Sequence, residues 1–198
     1  MGGHGRHELA GQYAQMMQVP FVIAAGSGFK GKTLEDLVEQ IRSSPGKYNF
    51  ASTGNGTLVH LGGQLFLNEI GGQAQHIPYA AGSEVAVALI SGDVLFSVAN
   101  ISTVSPHFAS GRIKGLATTG PQRYPLLAKV PTASESGVKD FAVRHYVGIF
   151  GPPGLPAEIA TNSTAKSTRS CRSRECGRHS KRKAIWPRRS AGTLLPLR

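Results

Sequence analysis

Residues 48–70, YNFASTGNGTLVHLGGQLFLNEI, constrain this chain more than any other stretch. A short apolar run at 48–52 predicts a buried strand. A small polar turn follows, Thr53-Gly54-Asn55-Gly56-Thr57. Apolar residues then fall at Leu58, Leu61, Leu65, Phe66 and Ile70, which is helical spacing. Strand, glycine turn and helix together aim free backbone N–H groups and the positive end of a helix at one point, and an anion suits that point. Glycine lets the backbone approach a ligand closely. The hydroxyls of Ser52, Thr53 and Thr57 add donors, so the turn reads as a carboxylate cradle. The plainer reading is an ordinary strand-to-helix turn capped by Thr57 or Asn55. Leu61, Leu65, Phe66 and Ile70 are expected in the core.

The same alternation runs along the chain. Residues 19–25 (VPFVIAA) predict a strand. Thr33 opens a helix with Asp36 as its capping-box partner, and Pro45-Gly46 ends it. Further strands are expected at 74–79, 94–98, 113–118 and 141–150. A helix opened by Ser83 runs to Ser91, and shorter helices are expected at 102–110 and 131–137. Residues 1–18 carry no clear period. Alternating strands and helices predict an α/β sandwich with helices on both faces of a mostly parallel sheet. Ligands sit beyond the carboxyl ends of strands in such sheets. Three small polar turns hold that kind of position: 52–57, 80–83 and 99–102.

Charge and length limit the function classes. The chain has 198 residues and a net charge of +11, a balance that alone suggests nucleic acid or an anionic surface. The charge is not spread evenly. Residues 165–198 hold 11 of the 22 Lys and Arg and a single acid, Glu175. The body is therefore almost neutral, and the basic tail, 162–198, reads as solvated and disordered. A nucleic-acid role would rest on that tail, with Trp186 stacking on a base. Nucleic acid is not the expected partner, because no folded basic face is foreseen. Both cysteines, Cys171 and Cys176, lie in the tail. With His179 they fall short of the four ligands a structural zinc needs, so no metal or cofactor is expected.

A catalytic reading needs a nucleophile, a base and an orienting group. Ser52 and His60 have no carboxylate nearby to complete a triad. His60 reads as a helix-surface residue, His76 as a strand-edge residue, and His107 and His145 have no local partner. Gly54 and Gly56 lack the third glycine and distant acid of a dinucleotide fingerprint. No enzyme activity is expected. The N-terminus lacks the apolar core of a signal peptide, and no run of 18 apolar residues occurs. As written, the chain would stay in the cytoplasm.

Several separated segments resemble one family. NFASTGNGTLVHL, HIPYAAGSEVAVALISGDV, VANISTVSPHFASGRIKGLATTGPQRYPLLAKVPTASESGV and YVGIFGPPGLPAEI are similar, in order, to the solute-binding receptors of tripartite tricarboxylate transporters, the Bug receptor family. The resemblance implies a periplasmic-binding-protein-like, type II-like α/β sandwich with two hinged domains and a small carboxylate between them. It also implies membrane components of the transporter as partners, a monomer, and a periplasmic location. It assigns the ligand contacts to Ser52, Thr53, Gly54, Asn55, Gly56 and Thr57, and to Ala99-Asn100 at the end of a second strand. Many members carry Asp where this chain has Ala99, and Lys or Arg where it has Ala80, so ligand identity does not transfer. On this reading residues 19–47 belong to a partial first domain, 48–144 form the ligand-binding second domain nearly complete, and 145–161 cross back. The strands at 19–25 and 146–150 are expected to expose edges, and the chain to bind weakly as a truncated remnant. The tail reads as out-of-frame translation beginning near 161–165. A non-functional fragment is the alternative.

Overall fold

A computed structural model describes residues 11–139 and 141–151, with residues 156, 158, 159 and 162. The basic tail from residue 163 lies outside the described residues.

The chain divides into two units, Val19–His145 and the remainder, Met1–Gln18 with Tyr146–Arg198; both boundaries fall inside strands. The elements are β1 (Gly11–Ala25), α1 (Leu34–Ser43), β2 (Asn49–Ser52), α2 (Leu58–Glu69), β3 (Gln75–Pro78), α3 (Gly82–Ser91), β4 (Phe96–Asn100), α4 (Ile101–Val104), β5 (Lys114–Thr118) and β6 (Arg144–Gly151). Short 3-10 turns occupy Ser105–His107 and Pro125–Leu127. The sheet order is β3-β2-β4-β1-β5, and β6 pairs β1. β2 runs parallel to β3 and β4, whereas β1 runs antiparallel to β4 and β5. Among β2, β3, β4 and β5 the strands run parallel, with β1 antiparallel between β4 and β5, and the fold is the expected periplasmic-binding-protein-like α/β class.

The placement of residues 19–25 corrects the expected domain boundary. They lie in the same unit and the same sheet as the cradle, between β4 and β5, with Phe21 opposite Asn100 and Val22 opposite Thr118. Instead of an exposed edge they form the sheet's interior: Phe21, Val22, Ile23, Ala24 and Ala25 are buried. α1, also assigned to a first domain, packs Leu34, Leu37 and Ile41 into the same core. Sequence order misled because the partners of β1 lie 71 to 96 positions further along the chain. β1 also starts at Gly11, well inside a segment read as irregular.

Alternation along β1 builds two cores. Phe21, Ile23 and Ala25 join Phe50, Phe96 and Val98 under α1 and α2. Val22 and Ala24 join Ala51 and Ala99 under α3 and α4. This is the period of two that places successive side chains on opposite faces. α1 begins with the expected capping box: Asp36 N donates to Thr33 Oγ1, and Asp36 Oδ2 accepts from the Thr33 amide. The Lys32 amide, and after it the Thr33 amide, donate to the Asp36 carboxyl and hold it below its ordinary pKa. α3 differs from expectation. Its N-cap is Ala81, which has no side chain to cap with, and Ser83 lies inside the helix.

α2 turns a different face inward from the one its Leu spacing suggests. Val59, Gly62, Gly63, Phe66 and Leu67 are buried, while Leu58, Leu61 and Leu65 are exposed. The glycines decide the face. A Cβ on Gly63 would lie 2.5 Å from the Phe50 ring, and one on Gly62 would lie 3.1 Å from Val98 Cγ1. α2 sits so close to the sheet that residues without side chains must face it.

Candidate functional site

β2, β3 and β4 are adjacent and parallel, so the turns that follow them emerge at one edge of the sheet. The turn after β2 stays open to solvent: Asn55 and Gly56 are exposed. Gly54 and Gly56 have φ of 120° and 76°, values that favour glycine and let the chain reverse into α2.

The turn is knit together largely by its own groups. Thr57 caps α2, accepting from His60 N at 3.3 Å and donating to Gly54 O at 2.8 Å. Ser52 is fully buried, and its Oγ accepts from Gly54 N at 3.1 Å. Gly56 N donates to His60 Nδ1 at 3.1 Å. The amides of Gly54, Gly56 and Thr57, expected to face a ligand, are therefore already engaged. The amides of Leu58 and Val59, in the first turn of α2, have no acceptor among the described residues. They point along the positive end of the helix dipole and remain available to an anion.

Replacing Thr57 with Ala is expected to cost about 1 kcal/mol, the usual worth of an N-cap hydroxyl. Thr57→Ser should recover most of it. Urea unfolding of the two variants checks this, and equal losses in both would contradict the capping role.

Two histidines complete the turn, and their role was not legible in the sequence. His76 on β3 places Nε2 2.7 Å from Ser52 Oγ. His60 stacks on His76 with ring centroids 4.0 Å apart and 29° between planes. Phe50 backs both rings, at 5.0 Å from His76 and 6.2 Å from His60. Residues 60 and 76 sit on separate elements, so no local spacing signals the pair. The parallel register Phe50↔His76 brings them together. Burial, and secondarily the charge of His60, hold the His76 imidazole below its ordinary pKa.

That depression has a consequence for stability. Protonated His76 is favoured in the unfolded chain, so stability is full above the ordinary histidine value of 6.5 and declines as pH falls below it. Thermal melts between about pH 7.5 and 5 should show a falling midpoint that His76→Gln flattens. An unchanged slope in the variant would assign the acid loss elsewhere.

The Ser52–His76 pair resembles a nucleophile and base, but its surroundings do not suit attack on a substrate. Ser52 is fully enclosed. Among the described residues, no group of three His, Cys, Asp or Glu comes together to bind a metal. The pair instead fixes the turn to β3.

The second expected strip divides. Ala99 is buried, with its side chain in the core under α3, so it has only its main chain to offer. Asn100 ends β4, is half-exposed, and stands at the N-cap of α4 without capping it. Its amide is free to face outward. At the third turn, Ala80 N donates to Glu84 Oε2 at 3.0 Å. Among the described residues, no helix is long and apolar enough to cross a membrane.

Residues 6–175 match the family described as "Tripartite tricarboxylate transporter family receptor". A Pseudomonas sp. (strain P51) protein, "UPF0065 protein in tcbD-tcbE intergenic region", is 28% identical over 149 residues, covering 75% of this chain and 44% of the relative. The chain thus spans less than half the length of this relative. Among solved structures, Rpa4515 of R. palustris with adipate has a TM-score of 0.75 at 23% identity, covering 84% of this chain and 56% of that one. MatC (Rpa3494) from Rhodopseudomonas palustris with bound malate also has a TM-score of 0.75 at 23% identity, covering 85% and 57%. These two likenesses show the fold.

Proposed function

The chain belongs to the tripartite tricarboxylate transporter family of receptors, and from that premise we propose that its turn 52–57 holds one carboxylate of a small dicarboxylate. The observation that carries this reading is the pair of amides at the start of α2, Leu58 and Val59, that have no acceptor among the described residues, next to a turn whose Asn55 and Gly56 are exposed. Two N–H groups at a helix N-terminus bind an anion by direct donation and by the dipole. Asn100, at the end of the neighbouring strand β4, supplies a further polar contact. Ser52, Thr53, Gly54, Asn55, Gly56 and Thr57 shape the turn, and Ala99 contributes main chain. Adipate and malate, bound by the structural neighbours, set the ligand class to try first.

The ligand is delivered to membrane components of a tripartite transporter, outside the cytoplasm. The receptor acts as a monomer and binds without turnover. Because this chain spans less than half of the curated relative's length, its own residues supply part of the ligand's surroundings. Its affinity alone is correspondingly weak, on the order of a millimolar dissociation constant.

Amide NMR titration with adipate, malate, succinate and citrate tests the reading. Shifts at Leu58, Val59 and Asn100 that saturate with dicarboxylate support it. Equal shifts with the neutral diamide of adipic acid, or shifts confined to the far end of α2 around residues 64–74, would refute it.

A further inference from the structure

The geometry of the histidine pair beside the cradle bears on how a carboxylate is recognised. His60 Nδ1 accepts the Gly56 amide at 3.1 Å. A ring nitrogen that accepts a hydrogen bond carries no proton, so this contact exists only for the neutral imidazole in its Nε2–H form. The nitrogen therefore occupies the position an anion's oxygen would take on that amide. Protonating Nδ1 turns the acceptor into a donor. Gly56 N–H and Nδ1–H then face each other, and a carboxylate oxygen placed between them satisfies both.

The need for a cation here is plain from composition. The turn 53–57, β2, β3, β4, the 79–83 turn and α4 contain no Lys or Arg. The helix end supplies only about half a positive charge. Few ionisable groups compete with His60 on the elements around it. β2 and β4 have none, and neither does the turn 53–57. α2 adds Glu69 at its far end, roughly 13 Å along the helix. β3 brings His76, stacked on His60 at 4.0 Å. His76 is tied to Ser52 Oγ at 2.7 Å and stays the neutral member, because burial disfavours its charged form. A second positive ring 4.0 Å away would be repelled, so the two rings do not both carry a charge.

We propose that a ligand carboxylate displaces His60 Nδ1 from the Gly56 amide, and that His60, protonated at the freed nitrogen, becomes the carboxylate's cationic partner, so that each carboxylate bound at this turn takes up one proton. The proton comes from solvent, and hydrogen bonds alone break and form. The inference rests on the carboxylate reading of the turn and adds the ligand-contacting residue and the pH dependence to it. It predicts preference for anions over isosteric neutral ligands. It also predicts affinity that falls by up to ~tenfold per pH unit above the histidine range.

Two measurements on the full chain separate this inference from the reading beneath it. The first uses no ligand. The Gly56 amide shift is followed by NMR with the His60 ring protons across about pH 5 to 8. It should titrate with the His60 ring in the wild type and lose that titration in His60→Gln, while His107→Gln leaves it intact. A Gly56 shift independent of His60 overturns the inference. The second is calorimetric titration with adipate or malate near pH 8, in buffers of different ionisation enthalpy. Uptake of about one proton in the wild type and close to none in His60→Gln supports the proposal. Binding without proton uptake overturns it and leaves the carboxylate reading standing. If Gly56 follows His60 but neither dicarboxylate binds at pH 5.5 or 8, the receptor reading and this ligand role fall together.

Discussion

Phe50→Ala should destabilise the chain by about 3–5 kcal/mol, the range for removing a large buried aromatic. Phe50 is fully buried on β2 and stacks on Phe96 at 5.6 Å. It also backs His76 and His60, so the loss reaches the cradle. Its partner across the interface is the absence of a side chain at Gly63. Gly63→Ala alone should cost about 1–3 kcal/mol, because the new methyl would meet a ring held on its other sides. That cost arises even though alanine is the better helix former by about 1 kcal/mol. In the double variant the methyl enters space the ring has left. The two changes should then couple favourably by at least ~1 kcal/mol in a double-mutant cycle. Urea unfolding of the four proteins measures this, and strict additivity would show that α2 does not approach the sheet through Gly63.

The same interface shows what was legible in the sequence. Alternation of strands and helices gave the α/β class, and the Thr33–Asp36 capping box stood out because its groups lie three residues apart. The strand-turn-helix unit at 48–70 was equally local. The face of α2 was not legible. The helix is apolar almost all round, and spacing alone could not say that two glycines, rather than Leu61 and Leu65, face the sheet. The place of β1 was hidden for a related reason, since a strand's partners depend on non-local register. Its buried run VIAA lacks the polar alternation of a strand with one wet face, as expected for a strand covered on both sides. The His60–His76 pair depends on the β2–β3 register as well, so a histidine read as helix-surface and one read as strand-edge stack on each other at the candidate site. Ala99, expected to face the cleft, has its side chain in the second core because of the alternation in β4, which leaves its main chain for a ligand.

Ser52→Ala should show how far the turn depends on a single buried hydroxyl. Its Oγ touches Gly54 N, Gly54 O and His76 Nε2 at 3.1, 3.0 and 2.7 Å. The hydroxyl donates to Gly54 O and its oxygen receives Gly54 N–H, while His76 Nε2 shares the same oxygen. Alanine strands both partners where Ser52 leaves no room for water. Stability should fall by about 1–3 kcal/mol, the cost of leaving buried polar groups unmade. Carboxylate affinity should drop by ~tenfold or more, because 1.4 kcal/mol of disorder in the turn is enough for that. Replacing both partners by apolar groups is far milder than replacing one. Adding His76→Phe to Ser52→Ala should therefore recover stability. It should not recover binding, since Gly54 stays untethered. Denaturation curves and dicarboxylate titrations on the two variants separate these effects. A Ser52→Ala protein that keeps wild-type affinity would mean that the shape of the turn is set by its glycines and Thr57 alone.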